Sequence, residues 1–523
     1  MGGKMGELKE VDKLFQSPQE QQKNFFTRFL GLVEKGGNKL PDPVTLFLLL
    51  SALIIILSAI FALFNVEAVN PSTGETIQAV NLLSGEGLRL ILTEFVGVFA
   101  TFPPLGFVLV IMFGVGLAES TGMLSAIMKL GITSSPKALI VPSIVFIGMM
   151  GNVAGDAAFM IIPPIAAMVF YSIGKHPLAG LALGYASVAG GFTANLLINT
   201  TDVVLVGFTQ EATKLIDPNF VASPAMNYYF ITASTIMLIP VAVLINNKFV
   251  EPHLGKYEGI AEESSMDEVT DNNKKGLKWA GISLLAYIII LLLLILPENA
   301  VLRNQESGSM IDGSPFMQSI VPLTMLLFLI PSIVYGFVNG QFKSDKDVVS
   351  HLSKAMAGMG TFIVFALVAA QMIALFNWSN LGQILAIKSA SLMETVGFDG
   401  LPLIISLIFV TAFINFMIAS NAGKWAILAP VFIPMFMLLD INPALTQVAY
   451  RIGDSITNPI TPMMAYFVIT LTFAKRYEPN IEIGRFISIL LPYSIIFGIS
   501  WIIFLAIWYL LGIPIGPGYG INL

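Results

Sequence analysis

Apolar residues in this chain come in long runs separated by short polar breaks, and run length sorts them into two kinds. The runs Val44 to Phe64, Leu90 to Glu119, Asn227 to Asn246, Gly276 to Leu296, Phe316 to Gly340, Ala355 to Phe376 and Ile487 to Leu511 are each about as long as a bilayer-crossing helix, which needs about 20 residues. The second contains Pro103-Pro104. Other runs stop short. Leu403 to Met417 ends at Ala419-Ser420-Asn421-Ala422-Gly423, and Trp425 to Leu439 follows with Pro430 and Pro434 inside it. Two short helices meeting at a polar, glycine-containing tip read as a re-entrant hairpin. After Asn442-Pro443 comes a segment with Arg451, Asp454 and the breaker Thr457-Asn458-Pro459-Ile460-Thr461-Pro462, then Met463 to Phe473. Irregular backbone and ionised groups at membrane depth survive only inside protein or beside water.

The same order occurs in the first half. Ala138 to Met150 is apolar, Gly151-Asn152-Val153-Ala154-Gly155-Asp156 is the tip, and Ala157 to Tyr171 carries Pro163-Pro164. After His176-Pro177, Leu178 to Phe208 is broken at Gly190-Gly191-Phe192-Thr193-Ala194-Asn195 and carries Asn199 and Asp202. Ala154 thus matches Ala422, and Pro177 matches Pro443. The pattern predicts an all-α polytopic membrane protein: nine transmembrane helices, two of them broken, plus two re-entrant helical hairpins in inverted repeats. Residues 1–42 form a cytoplasmic segment, with Gln16 to Gln22 disordered or surface-bound and Phe25 to Val33 an interfacial helix. The first membrane half is 43–249, with a polar loop at Asn65 to Leu83, hairpin one at 138–171 and its broken helix at 178–208. An acidic, solvated linker covers 250–276. The second half is 277–523, with hairpin two at 401–439 and its broken helix at 443–474.

Composition agrees. Residues are 55% hydrophobic and 11% charged, with mean hydropathy +0.81, against about 25% charged in soluble domains. The absence of cysteine excludes disulfides and thiol chemistry, and three histidines make a histidine-based metal centre a poor expectation. Met1 to Lys39 has no signal-peptide core, so no cleaved presequence is expected. Lys and Arg set the orientation. With a cytoplasmic N-terminus, only Arg89, Lys214, Arg303 and Lys388 fall on the far side, and only Lys424 and Arg451 lie within the membrane. Reading either hairpin as a full span destroys that asymmetry. The lipid bilayer is a partner; nucleic acid is not.

The charges left in the membrane carry the chemistry. The guanidinium of Arg451 cannot be neutralised and presents a planar fork suited to carboxylate. Arg451 and Asp454, three apart on one helical face, either pair with each other or leave the fork to a substrate anion; both hold if Asp454 orients the fork. Lys424 either neutralises substrate or snorkels to the outer interface. Trp425 either stacks on an aromatic substrate or belongs to the interfacial belt. Asp202 is the better cation or proton site, while Asp156, near a helix start, is a site or a cap. Asn152, Thr193, Asn195, Asn199, Ser420, Asn421, Ser455, Thr457 and Asn458 carry the oxygen ligands that Na⁺ wants, or else satisfy backbone freed at the breaks. Helix N-termini at Gly155 and Gly423 aim positive dipole ends inward, which suits an anion. No cofactor is expected beyond a Na⁺ or H⁺ coupling ion.

An enzyme fits poorly. The intramembrane aspartyl proteases need Gly-x-Gly-Asp, and here Arg-Ile-Gly-Asp454 and Val-Ala-Gly-Asp156 lack the first glycine. There is no Walker motif for ATP. A channel does not need two broken inverted repeats and ranks below a secondary carrier.

The segments Val33-Glu34-Lys35-Gly36-Gly37-Asn38-Lys39-Leu40-Pro41-Asp42-Pro43, Gly151-Asn152-Val153-Ala154-Gly155-Asp156-Ala157-Ala158, Ala422-Gly423-Lys424-Trp425-Ala426 and Ala449-Tyr450-Arg451-Ile452-Gly453-Asp454-Ser455 resemble the p-aminobenzoyl-glutamate transporter (AbgT) family, from about Phe29 to Pro517. The resemblance implies a bowl-shaped homodimer with nine spans and two hairpins per protomer. It implies a site lined by Asp202, Asn415, Trp425, Pro443, Arg451, Asp454 and Pro462. It also implies ion-gradient-driven transport of p-aminobenzoyl-glutamate or related aromatic carboxylates across a bacterial inner membrane, or else efflux of p-aminobenzoate-like antimetabolites such as sulfonamides; a dicarboxylate or peptide-like anion also fits the residues. Ala422 stands where some members carry serine; either Ser420 replaces it or a substrate hydrogen bond is absent.

Overall fold

Pro43 at a first helical position, behind an Asp42 carboxylate that accepts the Val44 N–H at 2.9 Å, starts α1 (Pro43–Leu63). The computed structural model describes residues 41–69, 74–259, 269–311 and 313–523, without the side chains of Asp156 and Ala465. The expected cytoplasmic segment before residue 41, including the interfacial helix at Phe25 to Val33, lies outside the described residues.

Among the described residues, eight helices are long and apolar enough to cross a membrane. Seven correspond to the unbroken spans read from the sequence: α1, the stretch Gly85–Ser120, α9 (Tyr228–Ile245, continued to Leu254), α10 (Asp271–Ile295), α11 (Ile320–Val338), α13 (Gly360–Trp378) and α19 (Ile483–Leu510). The eighth, Lys137–Ala154, is a limb of hairpin one. Each broken helix falls short in both pieces: α7 (Pro177–Ala189) and α8 (Thr200–Thr213) have 13 and 14 residues, α17 (Pro443–Thr457) and α18 (Ala465–Ala474) have 15 and 10. With each broken helix taken as one unit, the described residues hold seven unbroken spans and two broken ones.

Hairpin one is α5 (Ile140–Gly151) and α6 (Asp156–Ser172), joined through a 3₁₀ turn at Asn152–Ala154. Gly155 has φ +55°, a conformation glycine takes without strain, and it lets α6 restart at a new angle. Hairpin two is α15 (Gly400–Asn415) and α16 (Asn421–Met437). The order of helix, tip, proline-bearing helix, x-Pro turn and broken helix therefore appears twice.

Several expectations are corrected. The second span is two helices, α2 (Gly85–Ala100) and α3 (Pro103–Ser120), because Pro103 and Pro104 cannot continue the hydrogen-bond ladder of α2. Among the described residues, the linker carries helix at both its ends. A π-helical turn at Asn246–Val250 and a short helix Glu251–Leu254 extend α9, and Thr270 caps α10 by accepting the Asn273 N–H at 3.2 Å. The polar loop after α1 holds a two-stranded antiparallel ribbon, β1 (Glu67–Val69) with β2 (Thr76–Gln78). Three further helices had no counterpart among the predicted elements: α4 (Met123–Thr133), α12 (Asp345–Ala357) and α14 (Leu381–Val396). The predicted span at Ala355 to Phe376 begins later, at Gly360, because α12 ends first.

The broken helices and hairpin limbs form the centre. α6 packs along α7, α15 along α17, and α8 along α16. Gly453 permits the second contact: a Cβ there would lie 2.4 Å from the Ile408 carbonyl oxygen and 2.7 Å from Thr411 Cβ. Any larger residue would push α17, and the charges it carries, away from hairpin two.

Candidate functional site

All 15 residues of α17 are buried. Pro443 sets its first turn behind Asn442, whose side chain accepts the Ala444 N–H at 3.0 Å, and Asn458–Ile460 form a 3₁₀ turn where it breaks. Pro462 stands just beyond that break. The polar residues of α17 must therefore find partners in protein, and they find them on α8 and hairpin two.

Arg451 does not pair with Asp454. Its Nη1 lies 2.6 Å from Oδ1 of Asp202, both residues being 1% exposed. Asp202 is the third residue of α8 and closes a capping box with Asn199: its Oδ2 accepts the Asn199 N–H at 2.8 Å and the Asn199 carbonyl oxygen of the side chain accepts the Asp202 N–H at 3.1 Å. That box fixes the carboxylate that faces Arg451. The pairing is close but poorly directed. No N–H of the guanidinium points at an acceptor, so Nε, Nη1 and Nη2 all lack a hydrogen-bond partner among the described residues. A buried donor left unmade costs about 1–3 kcal/mol, more for a charged group. The planar geometry of such a fork matches that of a carboxylate.

Asp454 pairs instead with Lys424, which lies in the first turn of α16 and is fully buried. Snorkelling is therefore corrected: the ammonium turns inward, to Asp454 and to the Asn415 side-chain oxygen. Asn415, the last residue of α15, donates from Nδ2 to the Asp454 carbonyl at 3.0 Å and to the Thr457 and Asn458 side-chain oxygens, each at 2.8 Å. Asn421 donates to Asp454 Oδ2 at 2.7 Å. Ser420 caps α16 by accepting the Gly423 N–H at 3.1 Å. Asn415, Ser420, Asn421, Lys424, Asp454, Thr457 and Asn458 thus gather where the tip of hairpin two meets the break after α17.

Trp425 is fully buried, so the interfacial-belt reading is corrected as well. Its ring stacks on Tyr450, centroids 4.4 Å apart and planes 30° from parallel, and Tyr450 donates its hydroxyl to the Asn421 carbonyl at 2.5 Å. The Trp425 Nε1–H goes to Thr209 Oγ1 at 2.9 Å. Thr209 donates to Gln447 Oε1 at 2.6 Å, Gln447 donates from Nε2 to Asn227 Oδ1 at 2.8 Å, and Asn227 donates to the Ala444 carbonyl at 2.8 Å. Sequence reasoning missed Thr209, Gln447, Asn227 and Tyr450. Spacing held a signal for two of them: Gln447 is one turn before Arg451 on α17, and Thr209 is two turns after Asp202 on α8.

The first-half residues are spread around the neighbouring tip. Thr193 shares a hydrogen bond of 2.8 Å with Ser455 and lies 3.5 Å from the Arg451 carbonyl, which joins the first break to α17. Asn152 Nδ2 donates to the Met149 and Val188 carbonyls at 3.1 and 3.2 Å, while its Oδ1 is buried without a partner among the described residues. Asn195 Oδ1 accepts the Leu197 N–H at 3.2 Å and its Nδ2 is likewise unpartnered. The side chain of Asp156 lies outside those described.

Residues 28–523 match the model of the "AbgT putative transporter family". The chain is 38% identical to the p-aminobenzoyl-glutamate transport protein of Escherichia coli K12 over 94% of its own length and 96% of that protein. It superposes on the YdaH transporter of Alcanivorax borkumensis with TM-score 0.87 and 40% identity, covering 91% of this chain and 100% of the other. MtrF of Neisseria gonorrhoeae, described within a class of antimetabolite efflux pumps, gives TM-score 0.89 and 41% identity, covering 94% and 100%. Spans, hairpin tips and relatives agree: the chain belongs to the AbgT family and is a multi-pass membrane transporter.

Proposed function

We propose that this chain carries p-aminobenzoyl-glutamate, or a related small aromatic carboxylate, across a bacterial inner membrane, driven by an ion gradient. One observation carries the assignment: Arg451 is buried in an ion pair with Asp202, and none of its three guanidinium nitrogens makes a hydrogen bond among the described residues. A substrate carboxylate supplies two coplanar acceptors to that fork, and Lys424, one helix away, supplies a second cation for a second carboxylate. The Trp425–Tyr450 pair supplies flat apolar surface for the ring. Asp202 and Asp454 are the groups that change partners when substrate arrives, and so the groups to which H⁺ coupling is assigned. The unpartnered oxygen of Asn152 is the corresponding assignment for Na⁺. The relative's description within antimetabolite efflux pumps favours a second reading, export of p-aminobenzoate-like compounds through the same site. We assign the chain no catalytic step, an N-terminus on the cytoplasmic side, and a homodimeric assembly.

The test is uptake and efflux of labelled p-aminobenzoyl-glutamate in proteoliposomes, with Na⁺ and proton gradients imposed separately. Arg451→Ala is expected to abolish binding while the detergent-solubilised protein stays folded. The same change leaves Asp202 buried without its cation, which costs roughly 3–5 kcal/mol of stability, so binding is read on protein that retains its folded elution profile in detergent. Binding within threefold of wild type would take Arg451 out of the site.

A further inference from the structure

A cavity of about 1100 Å³ lies at the end of the protein where α16 stops and α17 begins, with Met437 and Asn442 of that turn in its wall. Phe107, Gln210, Asp217, Val321, Met437 and Asn442 are among its lining residues. Two of them touch the elements of the site. Asn442 is the N-cap of α17, and Gln210 neighbours Thr209 on α8. At 1.5 Å per helical residue, Gln447 lies about 7.5 Å along α17 from Asn442, and Arg451 about 6 Å further. Between cavity and guanidinium there is thus one polar layer, the hydrogen-bonded chain Trp425–Thr209–Gln447–Asn227. Every residue of that layer is at most 1% exposed.

We infer that this chain is the gate closing the Arg451 site toward that end of the protein, and that the cavity above it is the vestibule through which substrate passes on that side. The chain spans the parts that would separate on opening: Trp425 belongs to hairpin two, Thr209 to the first broken helix, Gln447 to the second, and Asn227 to the start of α9. Each of its bonds is between uncharged groups. Such bonds contribute about 0.5–1.5 kcal/mol each, little enough to break and remake in a transport cycle, and a buried ion pair in the same place would not be. The vestibule walls are mostly apolar, with Asp217 the one acidic side chain among the described lining residues and no Lys, Arg or His side chain beside it there. That chemistry lets an aromatic anion pass without holding it, and leaves the strong contacts to Arg451 and Lys424. The substrate class rests on the proposed function above; the gate does not.

The chain has no cysteine, so a single Thr193→Cys reports access to the site, because Thr193 bonds to Ser455 one turn beyond Arg451. A membrane-impermeant maleimide presented at the vestibule face should label it slowly. Thr209→Val and Gln447→Ala should each raise that rate at least tenfold, leave the rate from the opposite face unchanged, and Thr209→Ser should keep it slow. An unchanged rate from the vestibule face in both folded variants overturns the gate. A second measurement leaves the gate intact: bulky maleimide at Val110→Cys, a vestibule-lining position 36% exposed, should stop transport without weakening substrate binding in detergent. Transport that survives complete modification overturns the vestibule. Labelling needs no substrate, so a failure to carry p-aminobenzoyl-glutamate would sink the functional assignment and leave the gate standing.

Discussion

Lys424→Ala would leave the buried Asp454 carboxyl without its cation, a change that typically costs roughly 3–5 kcal/mol. Lys424→Met combined with Asp454→Leu removes both charges together, and its unfolding midpoint in detergent should fall much less than that of the single variant. Transport should nonetheless be lost in both, because the second cation is gone; a transporting double variant would make the pair purely structural. Trp425→Ala should weaken aromatic substrates more than aliphatic dicarboxylates, by about the 0.5–1.5 kcal/mol of a ring contact. Equal losses for the two classes would mean that the indole only packs against Tyr450. At this scale the ionised residues themselves were legible, since a charge inside an apolar run needs a reason. Their partners were not. Helical spacing suggested Arg451 with Asp454, but spacing compares residues on one helix, and the packing of α17 between α8 and α16 turned the two side chains to different neighbours. Lys424 followed the same logic: its place at a tip suggested the interface, and the fold put that tip in the interior.

Breaks were the most legible elements, because proline and glycine act on backbone geometry wherever they stand. Both tips and both broken helices follow from them. The helices α4, α12 and α14 escaped because each mixes apolar and polar residues, so it interrupts no hydrophobic run and makes none. α7 offers a test at this scale. Its N-cap is His176, whose Nδ1 accepts the Leu178 N–H at 3.2 Å. Burial holds the imidazole below its ordinary pKa, with Glu478 opposing and Arg485 reinforcing that shift. The cap needs the neutral ring. Because the folded pKa is lowered, the unfolded chain binds more protons as pH falls through about 6.5, and stability drops there. His176→Asn keeps a capping oxygen without a titrating ring. Its melting temperature in detergent should therefore change less between pH 7.5 and 5.5 than that of wild type; parallel curves would assign the acid sensitivity elsewhere.

For the molecule as a whole, the distribution of Lys and Arg makes a sidedness claim. Single cysteines at Glu258 and Glu306, on loops before α10 and after it, should react with impermeant reagent from opposite sides of the membrane, Glu258 from the cytoplasm. Reaction from the same side would remove α10 as a crossing. Motion is the larger question. If hairpins and broken helices move together as a body whose members part from one another only at the gate, a cysteine at Ala422 crosslinked to a surrounding span should stop transport until reduced, and full transport with the crosslink closed would favour the channel reading. The four ionised side chains of the site bear on what that body carries. Arg451, Lys424, Asp202 and Asp454 together sum to no net charge. A dianion bound alone would make the moving core doubly negative, and each charge crossing the field is worth about 2.3 kcal/mol per 100 mV. Two protons or two cations moving with the dianion would make the loaded crossing electroneutral. Clamping proteoliposomes at different potentials would then leave the rate unchanged, whereas a rate that follows voltage would give the number of uncompensated charges directly.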